Sequence, residues 1–224
     1  MSYQNNGLQL YRKGQYAEAL VALLGEDVDL AEDLEQGYLM GLCYARLQET
    51  GEAIRIFKNV LNHETGQIKL YQIRMLIAWL LVGEDDIDGA MQYLNEIISG
   101  GFHSPQTWSV LGYCQWRLGK TVLALESYKK AVALDNGNSN AVNGLGYLLA
   151  ETGKDLNTAV ELCRKAVESQ PDNPVYKDSL GWALFQAGKT MEAVRYLTEA
   201  LSRCPDNEVI KGHLEKVRVY GHKH

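Results

Sequence analysis

Residues 105–138 read PQTWSVLGYCQWRLGKTVLALESYKKAVALDNGN, and this stretch recurs in modified form along the whole chain. Its clearest mark is an alanine that returns at intervals of 34, 37, 34, 35 and 34 residues. The alanines are Ala19, Ala53, Ala90, Ala124, Ala159 and Ala193. Such a period indicates supersecondary units that cannot bury their apolar faces alone and therefore stack on their neighbours. The sequence thus predicts a repeat protein whose function lies on a surface.

Each alanine has the same kind of neighbours. A small residue precedes it by 12 positions, or by 13 in the fifth unit, and a bulky or thiol side chain follows it by four. The small residues are Gly7, Gly41, Ala78, Gly112, Gly146 and Gly181, and the large ones are Leu23, Phe57, Leu94, Tyr128, Cys163 and Leu197. Small residues let two helices approach, and large ones fill the remaining gaps. We therefore expect two closely packed helices in each unit.

This pattern resembles the tetratricopeptide repeat, which reads W-x2-L-G-x2-Y, then A-x3-F, then P. Trp108, Leu111 and Gly112 match the first part, Ala53 and Phe57 match the second, and Pro171 and Pro205 stand at the proline position. The amino-acid sequences of the repeats are similar to those of bacterial members of the family. The resemblance implies an all-α, right-handed α-solenoid of six helix pairs with a C-terminal capping helix.

The repeat pattern predicts a single solenoid domain over residues 1–220. Its six units are 1–33, 34–67, 71–104, 105–138, 139–173 and 174–207, followed by a capping helix at 208–220 and a disordered tail at 221–224. Pro105 and Pro174 stand where a helix begins, and Pro171 and Pro205 follow the end of one. In the capping helix, Val209, Ile210, Leu214 and Val217 are expected on one side, which suits an open end of the stack.

Composition agrees with a packed repeat domain. At 224 residues and 46% apolar content the chain can bury a continuous core, and the longest apolar run, residues 76–82, is far shorter than a membrane span. The N-terminus shows no secretory signal, so a cytoplasmic location is the default, with an exported or periplasmic one if a signal was removed. The four cysteines form no C-x2-C pair, which favours free buried thiols over a metal or disulfide site.

The charge is unevenly distributed. Residues 1–104 hold seven Lys and Arg against fifteen Asp and Glu, whereas 105–224 hold fifteen against thirteen. Two acidic clusters, at residues 26–35 and 84–88, are interpreted as solvated loops or as a docking patch for a basic partner. Helical repeats that read RNA need a basic surface. RNA binding therefore remains only a remote alternative.

The sequence contains only incomplete matches to catalytic motifs. The Gly-Lys-Thr sequences at 119–121 and 188–190 imitate the end of a phosphate loop, but Cys114 and Ala183 stand where its first glycine belongs. The five histidines are scattered, and only His222 and His224 are close in sequence. We therefore predict no catalytic residues, no metal site and no cofactor, and an enzyme stays a remote alternative.

The candidate site follows from the resemblance. In tetratricopeptide proteins the first helix of each unit lines the concave face, where positions 2, 5, 6, 9, 12 and 13 contact ligands. Carried onto this chain, these positions give a partner-binding groove of aromatic, amide and charged side chains. Its candidate residues are Trp79, Tyr113, Trp116, Arg117, Asn143, Tyr147, Asp178, Trp182 and Phe185. Each aromatic ring is interpreted either as a ligand contact or as packing between neighbouring first helices.

These residues predict an adaptor or scaffold that binds a protein or peptide without catalysis. The family's carboxylate clamp needs Lys, Asn and Arg at fixed positions of three successive units, and no such set occurs here. A C-terminal carboxylate ligand is therefore not expected. The alternative is a self-assembling homo-oligomeric scaffold, in which a second copy covers the groove or an end face.

The two Gly-Lys-Thr turns give the first testable prediction. Neither ATP nor GTP should bind, because no phosphate-cradling loop precedes Lys120 or Lys189. Isothermal titration calorimetry checks this directly. Saturable heat with either nucleotide, abolished by Lys120→Ala or Lys189→Ala, would contradict the interpretation of these segments as turns.

Overall fold

The computed structural model describes residues 3–25 and 33–221. These residues form α-helices joined by short turns, and no β-strand occurs among them. Backbone contacts group the chain into two compact units, Met1–Phe102 and His103–His224. The single solenoid domain over residues 1–220 stays a prediction. The predicted all-α fold class is confirmed.

The described residues of unit 1, 3–25 and 33–102, form six helices, which pack as three pairs. They are α1 (Tyr3–Arg12), α2 (Tyr16–Leu24), α3 (Leu34–Arg46), α4 (Thr50–His63), α5 (Gln67–Gly83) and α6 (Ile87–Ser99). Residues 103–221 of unit 2 form three further pairs and one more helix. They are α7 (Pro105–Arg117), α8 (Thr121–Leu134), α9 (Ser139–Glu151), α10 (Leu156–Ser169), α11 (Pro174–Gln186), α12 (Thr190–Arg203) and α13 (Glu208–Gly221).

The core of each unit runs between the two helices of a pair and on to the next pair. In unit 2 the repeat alanines Ala124, Ala159 and Ala193 are fully buried, as are Leu180 and Leu197. The first helices α7, α9 and α11 also pack on one another in order. Contacts are therefore made to the nearest repeats, as expected of stacked units.

Prolines and caps begin the helices of unit 2 where the sequence predicts. Pro105 and Pro174 occupy the first turns of α7 and α11. The Ser104 hydroxyl accepts a hydrogen bond from the Thr107 N–H at 3.0 Å, and the Asn173 side chain caps α11 in the same way. A capping oxygen satisfies a backbone N–H that has no partner within the helix. The start of each first helix is thus determined locally.

Two boundaries differ from the prediction. Residues 68–70, expected between units, form the first turn of α5, which begins at Gln67. The Glu64 carboxylate accepts hydrogen bonds from the Thr65 and Gly66 N–H groups, and this tight turn allows the next helix to start early. The predicted tail at 221–224 lies outside the described residues except for Gly221, which ends α13.

Helix α13 occupies the place of a seventh first helix. It packs on α12 and α11, and buries Ile210, Leu214 and Val217. Val209, expected on the same side, is instead 61% exposed. Among the helices of residues 3–25 and 33–221, none has both the length and the hydropathy to cross a membrane.

The packing gives a stability prediction with a matched control. Leu180→Ala should lower the free energy of unfolding by about 2–5 kcal/mol, because Leu180 is fully buried and its truncation leaves a cavity. Leu134→Ala should change it by less than about 0.5 kcal/mol, since Leu134 is 51% exposed. Urea unfolding followed by circular dichroism measures both. Equal effects of the two substitutions would show that the repeat register is misassigned.

Candidate functional site

Unit 2 contains a cavity of about 180 Å³ beside its first helices. Helix α7 contributes Tyr113 and Trp116, α9 contributes Asn143 and Tyr147, and α11 contributes Asp178. We call these five residues and the space between them the aromatic cavity. Further lining residues are Tyr128, Gly144, Leu148, Val175, Ser179 and Val209. The structure therefore brings five of the nine predicted groove residues to one site.

Three rings form the wall of the aromatic cavity. Trp116 meets Tyr147 edge to face, with ring centroids 5.5 Å apart and planes at 83°, and Tyr113 lies 5.9 Å from Trp116. The Arg117 guanidinium donates a hydrogen bond to the Tyr113 hydroxyl at 2.9 Å and is exposed. Edge-to-face contacts fix ring orientation, so the wall is formed before any ligand arrives.

Asn143 brings an unsatisfied acceptor to the cavity. Its Nδ2 donates to the Ser179 hydroxyl at 3.1 Å, while Oδ1 is buried and has no hydrogen-bond partner. The residue is 8% exposed. A buried carbonyl oxygen without a donor is costly, so an N–H group that reached this oxygen would be stabilised there.

Asp178 is held by a residue that the sequence interpretation missed. His213 on α13 places its Nδ1 2.9 Å and 3.1 Å from the two carboxylate oxygens of Asp178, and both side chains are buried. His213 lies 35 residues after Asp178, which is one repeat period. That spacing is the sequence signal for the pair, because it places His213 at the repeat position of Asp178 when α13 is counted as a seventh first helix.

Trp182 and Phe185 do not line the cavity. Trp182 is 5% exposed, stacks on the His213 ring at 4.4 Å, and donates its Nε1–H to Glu151 at 2.7 Å. Phe185 meets Tyr220 of α13 edge to face at 5.9 Å. Helix α13 thus covers the face that both rings were expected to offer.

Tyr147 keeps a protonated hydroxyl at neutral pH. Burial raises its pKa well above the usual range, and the nearby charges of Glu151 and Asp178 and a hydrogen bond to Glu151 raise it further. A neutral phenol beside Asp178 adds no negative charge of its own. The carboxylate of Asp178 is the one charged side chain among the residues found to line the cavity.

Unit 1 has a wider concavity of about 920 Å³ around Trp79. Leu42, Arg46, Leu76 and Glu84 also line it. Trp79 is 66% exposed, which sets it apart from the buried Trp182 at the equivalent repeat position. Trp79, although predicted as part of the same groove, therefore lies on a separate surface within unit 1.

Three buried cysteines offer no activated nucleophile. Cys43, Cys114 and Cys163 are buried, and burial raises their thiol pKa values to about 11, 11 and 12. Thiols with raised pKa values are poorly reactive at neutral pH. In the part of the chain that the structure describes, no group of three or more His, Cys, Asp and Glu side chains is placed to hold a metal ion.

Comparison with known families identifies the repeat. Models of the tetratricopeptide repeat match residues 115–174 and, in a second version, residues 37–63 and 179–207. The TPR repeat-containing protein PA4667 of Pseudomonas aeruginosa is 44% identical over 78 residues, which are 35% of this chain and 13% of that protein. The TPR repeat-containing protein MJ1428 of Methanocaldococcus jannaschii is 24% identical and matches 68% of this chain and 28% of its own length. The chain thus spans less than a third of either relative.

Solved structures share the fold. The APC/C hetero-tetramer Cut9-Hcn1 matches 96% of this chain and 42% of its own, with a TM-score of 0.77 and 12% identity. YrrB, described as a TPR protein with an unusual peptide-binding site, matches 81% of this chain and 91% of its own, with a TM-score of 0.57 and 18% identity. TTC0263 of Thermus thermophilus has a TM-score of 0.61 at 16% identity, over 83% of this chain and 99% of its own. At these identities the likeness concerns the fold alone.

The two tryptophans at equivalent repeat positions give a paired prediction. Trp182→Ala should lower the free energy of unfolding by about 3–5 kcal/mol, because it removes a buried ring and leaves His213 without its stacking partner. Trp79→Ala should change it by less than about 0.5 kcal/mol, since the ring is 66% exposed. Thermal and urea unfolding measure both. A stable Trp182→Ala protein would mean that α13 does not cover this face in solution.

Proposed function

Because the chain belongs to the tetratricopeptide repeat family, we propose that it is a non-catalytic scaffold that binds a segment of another protein at the aromatic cavity of unit 2. The observation that carries this proposal is the ordered wall of Tyr113, Trp116 and Tyr147 beside the unsatisfied Asn143 carbonyl. Rings supply contact area at little cost in side-chain entropy, and a lone polar group sets the orientation of a guest.

The size and position of the cavity suit a polypeptide guest. Lining residues come from four successive helices of first-helix type, α7, α9, α11 and α13. A peptide segment lying across these helices would contact equivalent positions of successive repeats. One of its side chains would enter the cavity, and backbone groups would contact the rim. YrrB, which shares the fold, is described as having a peptide-binding site, and this agrees with such a use.

The buried Asp178–His213 pair does not make an enzyme the better interpretation. A hydrolytic triad needs a nucleophile within hydrogen-bond reach of the histidine. Within the described residues, the hydrogen bonds of His213 go to Asp178, and its ring stacks on Trp182. The nearby Ser179 hydroxyl accepts from Asn143 instead. Family members are also generally non-catalytic scaffolds.

Self-assembly remains the second candidate because α13 has exposed apolar side chains. Val219 is 56% exposed and Tyr220 is 60% exposed on this last helix. A second copy packing there would bury them and leave the aromatic cavity open. Analytical ultracentrifugation of the wild-type chain and of Tyr220→Ala separates the two functions, because only self-assembly predicts a concentration-dependent dimer that the substitution weakens.

Peptide selection tests the proposed binding surface. A random 12-residue peptide library displayed on phage is selected against the immobilised full chain, and enriched peptides are synthesised for titration. Trp116→Ala and Tyr147→Ala should each weaken peptide binding by about 2 kcal/mol or more, which is about thirtyfold in Kd. Trp79→Ala is the matched control, because it truncates an exposed ring in unit 1.

The controls separate folding from binding. Each variant must show the circular dichroism spectrum and melting temperature of a folded chain before its affinity is interpreted. Unchanged affinity in both Trp116→Ala and Tyr147→Ala would contradict the proposal. If Trp79→Ala alone weakens binding, the concavity of unit 1 is the binding surface instead.

A further inference from the structure

We propose that the aromatic cavity takes the guanidinium group of an arginine side chain supplied by the guest protein. This inference rests on the proposed function and specifies the chemistry of the guest. It follows from four properties of the cavity: its volume, its unsatisfied acceptor, its single charge and its ring geometry.

The volume suits one side chain. A cavity of about 150 Å³ lined by apolar side chains holds a benzene molecule, whereas pockets for drug-sized ligands span about 300–1,000 Å³. The aromatic cavity, at about 180 Å³, lies near the first value. One large side chain of a guest therefore fills it, while the main chain of the guest stays outside.

The unsatisfied acceptor requires a donor from the guest. Asn143 Oδ1 is buried without a partner, and turning the amide over would not satisfy both of its ends: the oxygen would then accept from the Ser179 hydroxyl, and the NH2 group would lie unpaired where the oxygen now is. An aliphatic side chain in the cavity would leave this oxygen without a hydrogen bond. An N–H from the guest would satisfy it.

The single charge favours a cation. Asp178 is the only charged residue among those found to line the cavity, and a carboxylate accepts further hydrogen bonds beyond those made with His213. Arg117, an exposed cation on α7, donates to the Tyr113 hydroxyl at the rim, where solvent screens its charge. Lys216 lies over the Trp182 ring, and neither residue is among those found to line the cavity.

The rings favour guanidinium over ammonium. Trp116 and Tyr147 stand at 83° to each other, so one can present a face and the other an edge to a planar group. Guanidinium is planar, weakly hydrated and stacks on aromatic faces, and its several N–H donors can reach both Asn143 and Asp178. An ammonium is more strongly hydrated, and an indole has only one N–H to share between the two acceptors.

Peptide selection against the full chain supplies the probe. Enriched 12-residue peptides should share one arginine, and replacing that arginine by citrulline, its neutral isostere, should raise Kd about tenfold. Lysine at the same place should also bind more weakly. Asn143→Ala should weaken the arginine peptide, and Asn157→Ala, an exposed asparagine on α10, is the matched control.

The role of Asp178 is tested by a ratio rather than by an affinity. Asp178→Asn keeps an oxygen for His213 and removes the charge, so the citrulline-to-arginine ratio of Kd values should fall towards one. Because both peptides are measured on the same variant, a loss of folded protein cannot imitate this result.

The outcomes separate the two proposals. Enriched peptides that depend on Trp116 and Tyr147 but contain no arginine, or that bind equally well with citrulline, would overturn the arginine inference and leave the scaffold function standing. Failure to enrich any peptide would count against both. If the preference for an arginine peptide persists undiminished in Asp178→Asn and Asn143→Ala, the arginine of the peptide binds at another surface of this protein. That result would overturn the inference.

Discussion

The close approach of two helices at a single glycine is the constraint on which the rest of the structure depends. A Cβ atom at Gly41, Gly112, Gly146 or Gly181 would lie 2.5–2.9 Å from a side-chain atom of the opposing helix, at Phe57, Tyr128, Cys163 or Leu197 respectively. Real Cβ atoms do not approach so closely, so these helix pairs can pack at this distance only with glycine there. The same contact recurs at the repeat period in both units, with Ala78 in the place of glycine on α5, and it fixes which face of each first helix is buried.

The functional surface is a consequence of that packing. Once the glycine face of α7, α9 and α11 is buried, Tyr113, Asn143 and Asp178 fall along the edge of that face on their helices and line one cavity. The same geometry explains why the last repeat differs. Helix α13 packs where a seventh first helix would stand, and His213 closes over Trp182 and pairs with Asp178. The open part of the surface therefore lies over α7 and α9.

The sequence was sufficient for the fold because its signals are local and repeated. Pro105, Pro174 and the alanine period predict helix starts and pairing correctly, and family models match the same repeats. The sequence could not predict that Trp79 and Trp182 differ in burial, since each is the ninth residue of its repeat unit. One is 66% exposed and the other 5%, and the difference depends on which side chains the neighbouring helix brings. The unsatisfied Asn143 oxygen is likewise a product of side-chain geometry, on which repeat spacing carries no information.

Photo-crosslinking from two defined positions tests the central claim most directly. A benzophenone amino acid is placed at Tyr113, in the aromatic cavity, or at Val122, which is 66% exposed on the second helix α8. Each protein is irradiated with a peptide selected against the wild-type chain, and adducts are identified by mass spectrometry. If the first helices of unit 2 hold the guest, position 113 forms the adduct and position 122 does not. An adduct at 122 with none at 113 would contradict the account.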